Sequence, residues 1–485
     1  MKYNFQVIEN QYIIKKCVIM NEFSNSKLFK LIELLSPSEI ERLSQNIEST
    51  ILNGKKSHLQ LLENIIENQA ITKNILYSKV FPHQPYNDLK LRILMSETTR
   101  IVSLYLGILQ MEKESNYISN AILQKAILQN NTKIYQSESI YFQQIMENEV
   151  VRDAAFYDKK FEIGYNNYLF WENKNRTSDF KFKDIIQDFD LAFLIKKLKL
   201  ACEAKSHSNL VGQHYDDKLL EKVIDYINEH PDSLEIPTLS VYYAAYHLLQ
   251  DHNNLDWYNK TKFLVEKHFN TISSKDLKSI YQLLINFSLK KINLSQLQFC
   301  EEAIFFYQKG IENGFLLTNN KISRFTYRNI VNICLKWGKT ELAIASCENY
   351  KDLLLEEDRE SSFEFAMAMI DYQNDKLLIA QTRLQKVDFK DYLFNLAAKT
   401  LLMKIFYENK EMDLLEFHLD AMSMYLLRKK VIGYHKVNYQ NIIKCCRLMI
   451  KVRYGNQEAK NKLLEKFKIM SPMNEFVWFE KQLEQ

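Results

Sequence analysis

Three stretches in the last third of the chain decide its fold: Gly338-Lys339-Thr340-Glu341-Leu342-Ala343, Asp375-Lys376-Leu377-Leu378-Ile379-Ala380 and Lys410-Glu411-Met412-Asp413-Leu414-Leu415. Each opens on residues that leave a helix readily: Gly338-Lys339, Asn374-Asp375 and Asn409-Lys410. The turns lie 37 and 35 residues apart, and five residues after each comes Ala343, Ala380 or Leu415. Ala303, 40 residues before Ala343, is an earlier relative. A period of 34 to 40 residues with a small residue early in the second helix is the TPR pattern. Two helices approach closely only where one side chain is small. Larger residues four positions on (Tyr307, Cys347, Leu384) then fill the space between successive hairpins. A single hairpin cannot bury its own apolar face, so such units stack.

Composition agrees. Nine Gly and six Pro make about 3% of 485 residues, against roughly 12% in average usage. Sandwiches, barrels and doubly wound sheets need these residues at many turns, whereas long helices with short polar loops do not. The formal charge of +4 points neither to disorder nor to a globally basic nucleic-acid binder. Seven cysteines at irregular spacing, with no CxxC, read as reduced thiols packed as small apolar groups. No run of 18 apolar residues exists, and the N-terminus lacks a signal-peptide core. The expected location is cytoplasmic, with no membrane partner.

Upstream, Leu28, Leu31, Ile32 and Leu35 make one apolar stripe, and Ser36-Pro37-Ser38-Glu39 is a stop–start corner with a capping box. Asn87 or Asp88 caps a helix carrying Leu89, Ile93 and Leu94. The domain reading is residues 1–22 an N-terminal extension with Met20 a candidate natural start, 23–156 an N-terminal helical region, 157–180 a connector, and 181–485 the repeat array. Ser471-Pro472 opens the capping helix of that array. The fold class is therefore all-α: antiparallel helical hairpins stacked into a TPR-like α-solenoid, preceded by a helical region.

The stretches Ser26-Lys27-Leu28-Phe29-Lys30-Leu31, Phe81 to Leu94, Lys196-Lys197-Leu198-Lys199-Leu200 and Asn329-Ile330-Val331 carry a resemblance. Over most of its length the chain resembles an uncharacterised family of bacterial all-helical, TPR-like repeat proteins. The resemblance implies the fold and adds no site.

Motifs for chemistry are missing. There is no GxxxxGK[ST], GxGxxG, HExxH or GxSxG. Gly310 and Gly314 read as a helix end. His247, Asp251, His252 and Asp256 could converge on a metal, but a solvated turn is the plainer reading. Cys446 shares the apolar stripe of Ile442, Met449 and Ile450; a reactive, exposed Cys445 beside Lys444 and Arg447 is the alternative to buried packing, which is the plainer reading. Glu356-Glu357-Asp358 reads as a loop or helix start. No enzyme activity, cofactor or metal is expected.

The charge is uneven. Residues 428–468 hold twelve Lys or Arg (Arg428, Lys429, Lys430, Lys436, Lys444, Arg447, Lys451, Arg453, Lys460, Lys462, Lys466, Lys468) and two acids, Glu458 and Glu465. The segment carries +10, so the rest of a +4 chain carries −6. A solvated hairpin, an acidic protein partner and a nucleic acid are the three readings. The favoured function is a non-enzymatic scaffold that holds a peptide or helix of a protein partner in the groove of the array, lined by the first helix of each hairpin. That face implicates Arg324, Tyr327, Arg328 and Asn332 on one helix and Lys436, Gln440 and Lys444 on the last. The alternative is a nucleic-acid-associated protein that uses the basic hairpin.

Overall fold

A computed structural model describes residues 23–67, 71–113, 115–172, 174, 179–211, 213, 215–251, 254–387, 391–428, 433–452 and 457–484. The described residues are 80% helical and contain no strand. The extension 1–22 lies outside them. Cα packing divides the chain into two compact units, Met1–Gln144 and Ile145–Gln485.

The first unit holds α1 (Lys27–Ile32), α2 (Pro37–Asn46), α3 (Lys56–Glu67), α4 (Lys73–Val80), α5 (Asp88–Lys113), α6 (Ser115–Leu128) and most of α7 (Thr132–Asn148). The corner before α2 is a capping box: Glu39 N–H donates to Ser36 Oγ at 3.3 Å and Ser36 N–H to Glu39 Oε2 at 2.8 Å. Asn87 caps α5, accepting from Lys90 N–H at 3.0 Å. Leu28, Leu61, Leu76, Ile101 and Val102 are buried in one core, in which α1 and α3 pack on α5.

The second unit opens with α8 (Ala154–Trp171) and α9 (Phe182–Val211). The stretch read as a connector, 157–180, is thus mainly the body of α8. Its aromatics lie on several faces and hide the helical period, because α8 buries Phe156, Tyr157 and Phe170 while Tyr165 stays exposed. A Cβ at Gly164 would sit 2.7 Å from Ile185 Cγ1, so this glycine lets α8 lie close on α9. Then follow α10 (Lys218–Glu229), α11 (Pro237–Gln250), α12 (Leu255–Lys267), α13 (Ser274–Asn293), α14 (Phe299–Glu312), α15 (Arg324–Lys336), α16 (Thr340–Lys351), α17 (Glu356–Gln373), α18 (Leu377–Gln385), α19 (Tyr392–Glu408), α20 (Met412–Arg428), α21 (Gly433–Val452), α22 (Gln457–Ile469) and α23 (Phe476–Glu484). Helices pair as α11/α12, α13/α14, α15/α16, α17/α18 and α19/α20, and each hairpin packs on the next. The final helix begins at Phe476, five residues after the expected Ser471. The last hairpin's turn, at Gly455-Asn456, lies outside the described residues.

The hairpin turns share one backbone device. Gly338, Asp375 and Lys410 have φ of 74°, 59° and 64°. Each is followed by an N–H that reaches back to the last turn of the helix: Lys339 to Cys334 O, Lys376 to Asp371 O and Glu411 to Phe406 O, all at 2.9 Å. This is the Schellman closure, and it satisfies carbonyls the helix leaves open. Ala343, Ala380 and Leu415 are fully buried where the second helix crosses the first. Only one of the three turns uses glycine, so two carry left-handed strain. Lys410→Gly is expected to stabilise the second unit by about 0.5–1 kcal/mol. Urea denaturation followed by tryptophan fluorescence reads this directly, since all four Trp lie beyond residue 144.

Candidate binding site on the first helices of the hairpins

α21 packs on α20 and α22 and also on α9, at the opposite end of the array. Arg328 of α15 lies close enough to His435 and Tyr439 of α21 for their charges to interact, so one face of α15 is turned towards α21. Two polar groups occupy that face.

The first group lies on the N-terminal half of α15. Arg324 donates to Asp358 Oδ1 at 2.7 Å and pairs with Asp391 at 3.5 Å. Asp391 also caps α19, accepting from Leu393 and Phe394 N–H at 2.9 and 3.0 Å. Asp358 comes from the acidic run before Arg359, which forms the first turn of α17. Phe394, fully buried, is the shared floor: the Arg324 and Arg328 guanidinium carbons lie 5.5 and 4.8 Å from its ring centre. Arg328 is half-buried and, among the described residues, has no hydrogen bond or ion pair. Burial lowers its pKa, and Tyr439, Tyr307 and Asp391 partly restore it. His435 of α21 stands near; burial and the Arg328 charge both hold its pKa below the usual imidazole range. Tyr307 Oη accepts from Asn329 Nδ2 at 3.1 Å, and burial pushes the phenol up to about 12.

The second group lies at the C-terminal ends of α15 and α19. Lys336 donates to Asn293 Oδ1 at 2.8 Å. Burial lowers its pKa, and Glu475 opposes the shift. Lys404 of α19 pairs with Glu475. Burial pushes the Glu475 carboxyl up, but Lys404 and Lys336 outweigh this and leave it below the ordinary value. Glu408 Oε1 accepts from Tyr372 Oη at 2.6 Å, Trp478 Nε1 at 2.7 Å and Gln482 Nε2 at 3.3 Å, which ties α23 to α17 and α19.

Of the residues read as groove-lining, Arg324 and Arg328 share this face. Tyr327 does not. It is buried and its hydroxyl donates to Cys347 O at 3.0 Å, because its position on α15 faces α16. Asn332 is half-buried. Lys436, Gln440, Lys444, Arg447 and Lys451 form one exposed stripe along α21, and Arg428 is exposed at the end of α20. Lys429 and Lys430 lie outside the described residues. Some of the twelve basic residues are paired in place: Arg447 with Asp420 at 2.6 Å, Lys462 with Glu458 and Lys468 with Glu465, both at 2.7 Å. Sequence reading missed Phe394, Asp391 and Glu475. Only helix packing brings them to α15, and no local motif marks them.

Cys445 follows the plainer of its two readings. It is fully buried, with its thiol 3.7 Å from Met470 Sδ, and burial pushes it up to about 12. α22 covers the side that a single-helix wheel leaves open. The other described cysteines are buried too. His247 stacks on Trp257 at 4.4 Å, and His252 lies outside the described residues. Among the described residues no three His, Cys, Asp or Glu side chains converge as metal ligands, and no helix is long and apolar enough to cross a membrane. Gly314, at φ 76°, terminates α14.

Burial lowers the pKa of His247, His268, His418 and His435. Below about pH 6.5 the unfolded chain takes up protons that the folded chain refuses, so stability falls on acidification through that range. A lower urea midpoint at pH 5.5 than at pH 7.5 is expected, with His418→Gln flattening part of the difference. An equal midpoint contradicts this.

Comparison with protein-family models, curated proteins and solved structures finds no match.

Proposed function

We propose that the protein is a non-enzymatic cytoplasmic scaffold. Its second unit is a TPR-like α-solenoid that holds an extended segment or helix of a protein partner on the first helices of its hairpins. One observation carries this reading. Polar and aromatic side chains of α15, α17 and α19 gather on one face, with Arg328 there lacking an acceptor among the described residues. A core has no use for an unanswered guanidinium, whereas a recognition surface does.

Native co-purification from the protein's own cells, with and without nuclease, tests the reading. A stoichiometric protein partner that survives nuclease and is lost on Arg324→Ala/Arg328→Ala supports it. The second reading rests on the exposed Lys436, Lys444 and Lys451 of α21. Nucleic acid that co-purifies, with binding falling steeply as salt rises, favours that surface instead.

A further inference from the structure

Four observations converge at the N-terminal half of α15. The Arg328 guanidinium carries five N–H donors and, among the described residues, meets no acceptor. One turn earlier, Arg324 uses its terminal nitrogens on Asp358 and Asp391, and its Nε is buried without a partner among the described residues. Both guanidiniums lie against the same ring, Phe394. The nearby carboxylates are already engaged, Asp358 by Arg324 and Asp391 by the α19 N-terminus and Arg324. Donors are in excess at this place, and the missing partner is an acceptor.

We propose that Arg328, beside the Arg324 charge and on the floor of Phe394, binds a carboxylate of the partner segment. The inference rests on the groove reading above and names what the groove recognises. A planar guanidinium takes a carboxylate as a two-point fork, and a face stacked on an aromatic ring keeps that fork in one plane. The Tyr307 hydroxyl, which accepts from Asn329, keeps its own proton to donate. Removal of this site from bulk water strengthens each of these bonds.

The test uses the full chain and a synthetic library of random, N-acetylated decapeptides. Half of the library is methyl-esterified, so that every carboxylate is neutral. The two halves are passed over immobilised protein, and the best-retained peptides are then titrated singly. Esterification is expected to weaken binding at least about tenfold, and Arg328→Gln to do the same to the free acids. Arg328→Lys is expected to recover part of the loss, and Lys376→Gln to change nothing. Unchanged tryptophan emission and helical circular dichroism certify each variant as folded.

Equal retention of both halves, on wild type and Arg328→Gln alike, overturns the carboxylate site but leaves the groove reading intact. Retention of neither half overturns both. Displacement of the retained peptides by millimolar inorganic phosphate but not by acetate assigns the donors to a phosphate, and also overturns the proposal.

Discussion

Asp276→Ala is expected to destabilise the second unit by about 3–5 kcal/mol, the usual cost of removing one partner from a buried ion pair. Asp276 is 4% exposed and joins three helices. Its Oδ1 accepts from Lys199 Nζ of α9 at 2.6 Å and from Tyr242 Oη of α11 at 2.7 Å; its Oδ2 accepts from Ser273 Oγ, the N-cap of α13, at 2.7 Å. Alanine leaves the Lys199 charge without its carboxylate and the Tyr242 hydroxyl buried without an acceptor. Urea denaturation followed by tryptophan emission measures the loss. A change under 1 kcal/mol would show that water reaches the site and answers both donors. The double variant Lys199→Met/Asp276→Leu is expected to regain only the part owed to the unpaired Lys199 charge, since the Tyr242 hydroxyl still lacks its acceptor.

Glu408→Ala is expected to free α23. Glu408 accepts from Tyr372, Trp478 and Gln482, and hydrogen bonds to a charged group contribute about 1.5–3 kcal/mol each. A local loss of about 2–4 kcal/mol follows, because the three bonds are not independent. The readouts are faster proteolysis between Ser471 and Glu475 and a red shift of Trp478 emission. Glu408→Gln keeps one acceptor oxygen and is expected to lie between the two. If proteolysis is unchanged, the apolar face of α23, with Phe479 and Leu483 buried, holds the helix without help.

Both predictions concern residues no sequence pattern singles out. The turns are the opposite case. Asn374-Asp375 and Asn409-Lys410 are legible because a left-handed residue at a helix end is a local event, governed by the backbone of a few neighbours. The same holds for the Ser36 capping box and for the small residues Ala343 and Ala380, whose spacing from the turn is set by helix geometry. Helix α8 was hidden because aromatic residues on several faces erase the amphipathic period that marks a helix.

The sequence by itself determined the helical class and the turn chemistry of this protein, since each depends on contacts within about one helical turn. The tertiary structure alone decided which side of each helix is inside. Tyr327 and Cys445 lie on faces that a single helix would leave open, and they are buried because α16 and α22 cover them. Arg328 lies one residue from Tyr327, yet it turns to the ring of Phe394, which arrives from a helix more than sixty residues away. Burial and charge balance are properties of what packs against a residue, and those partners are distant in the chain.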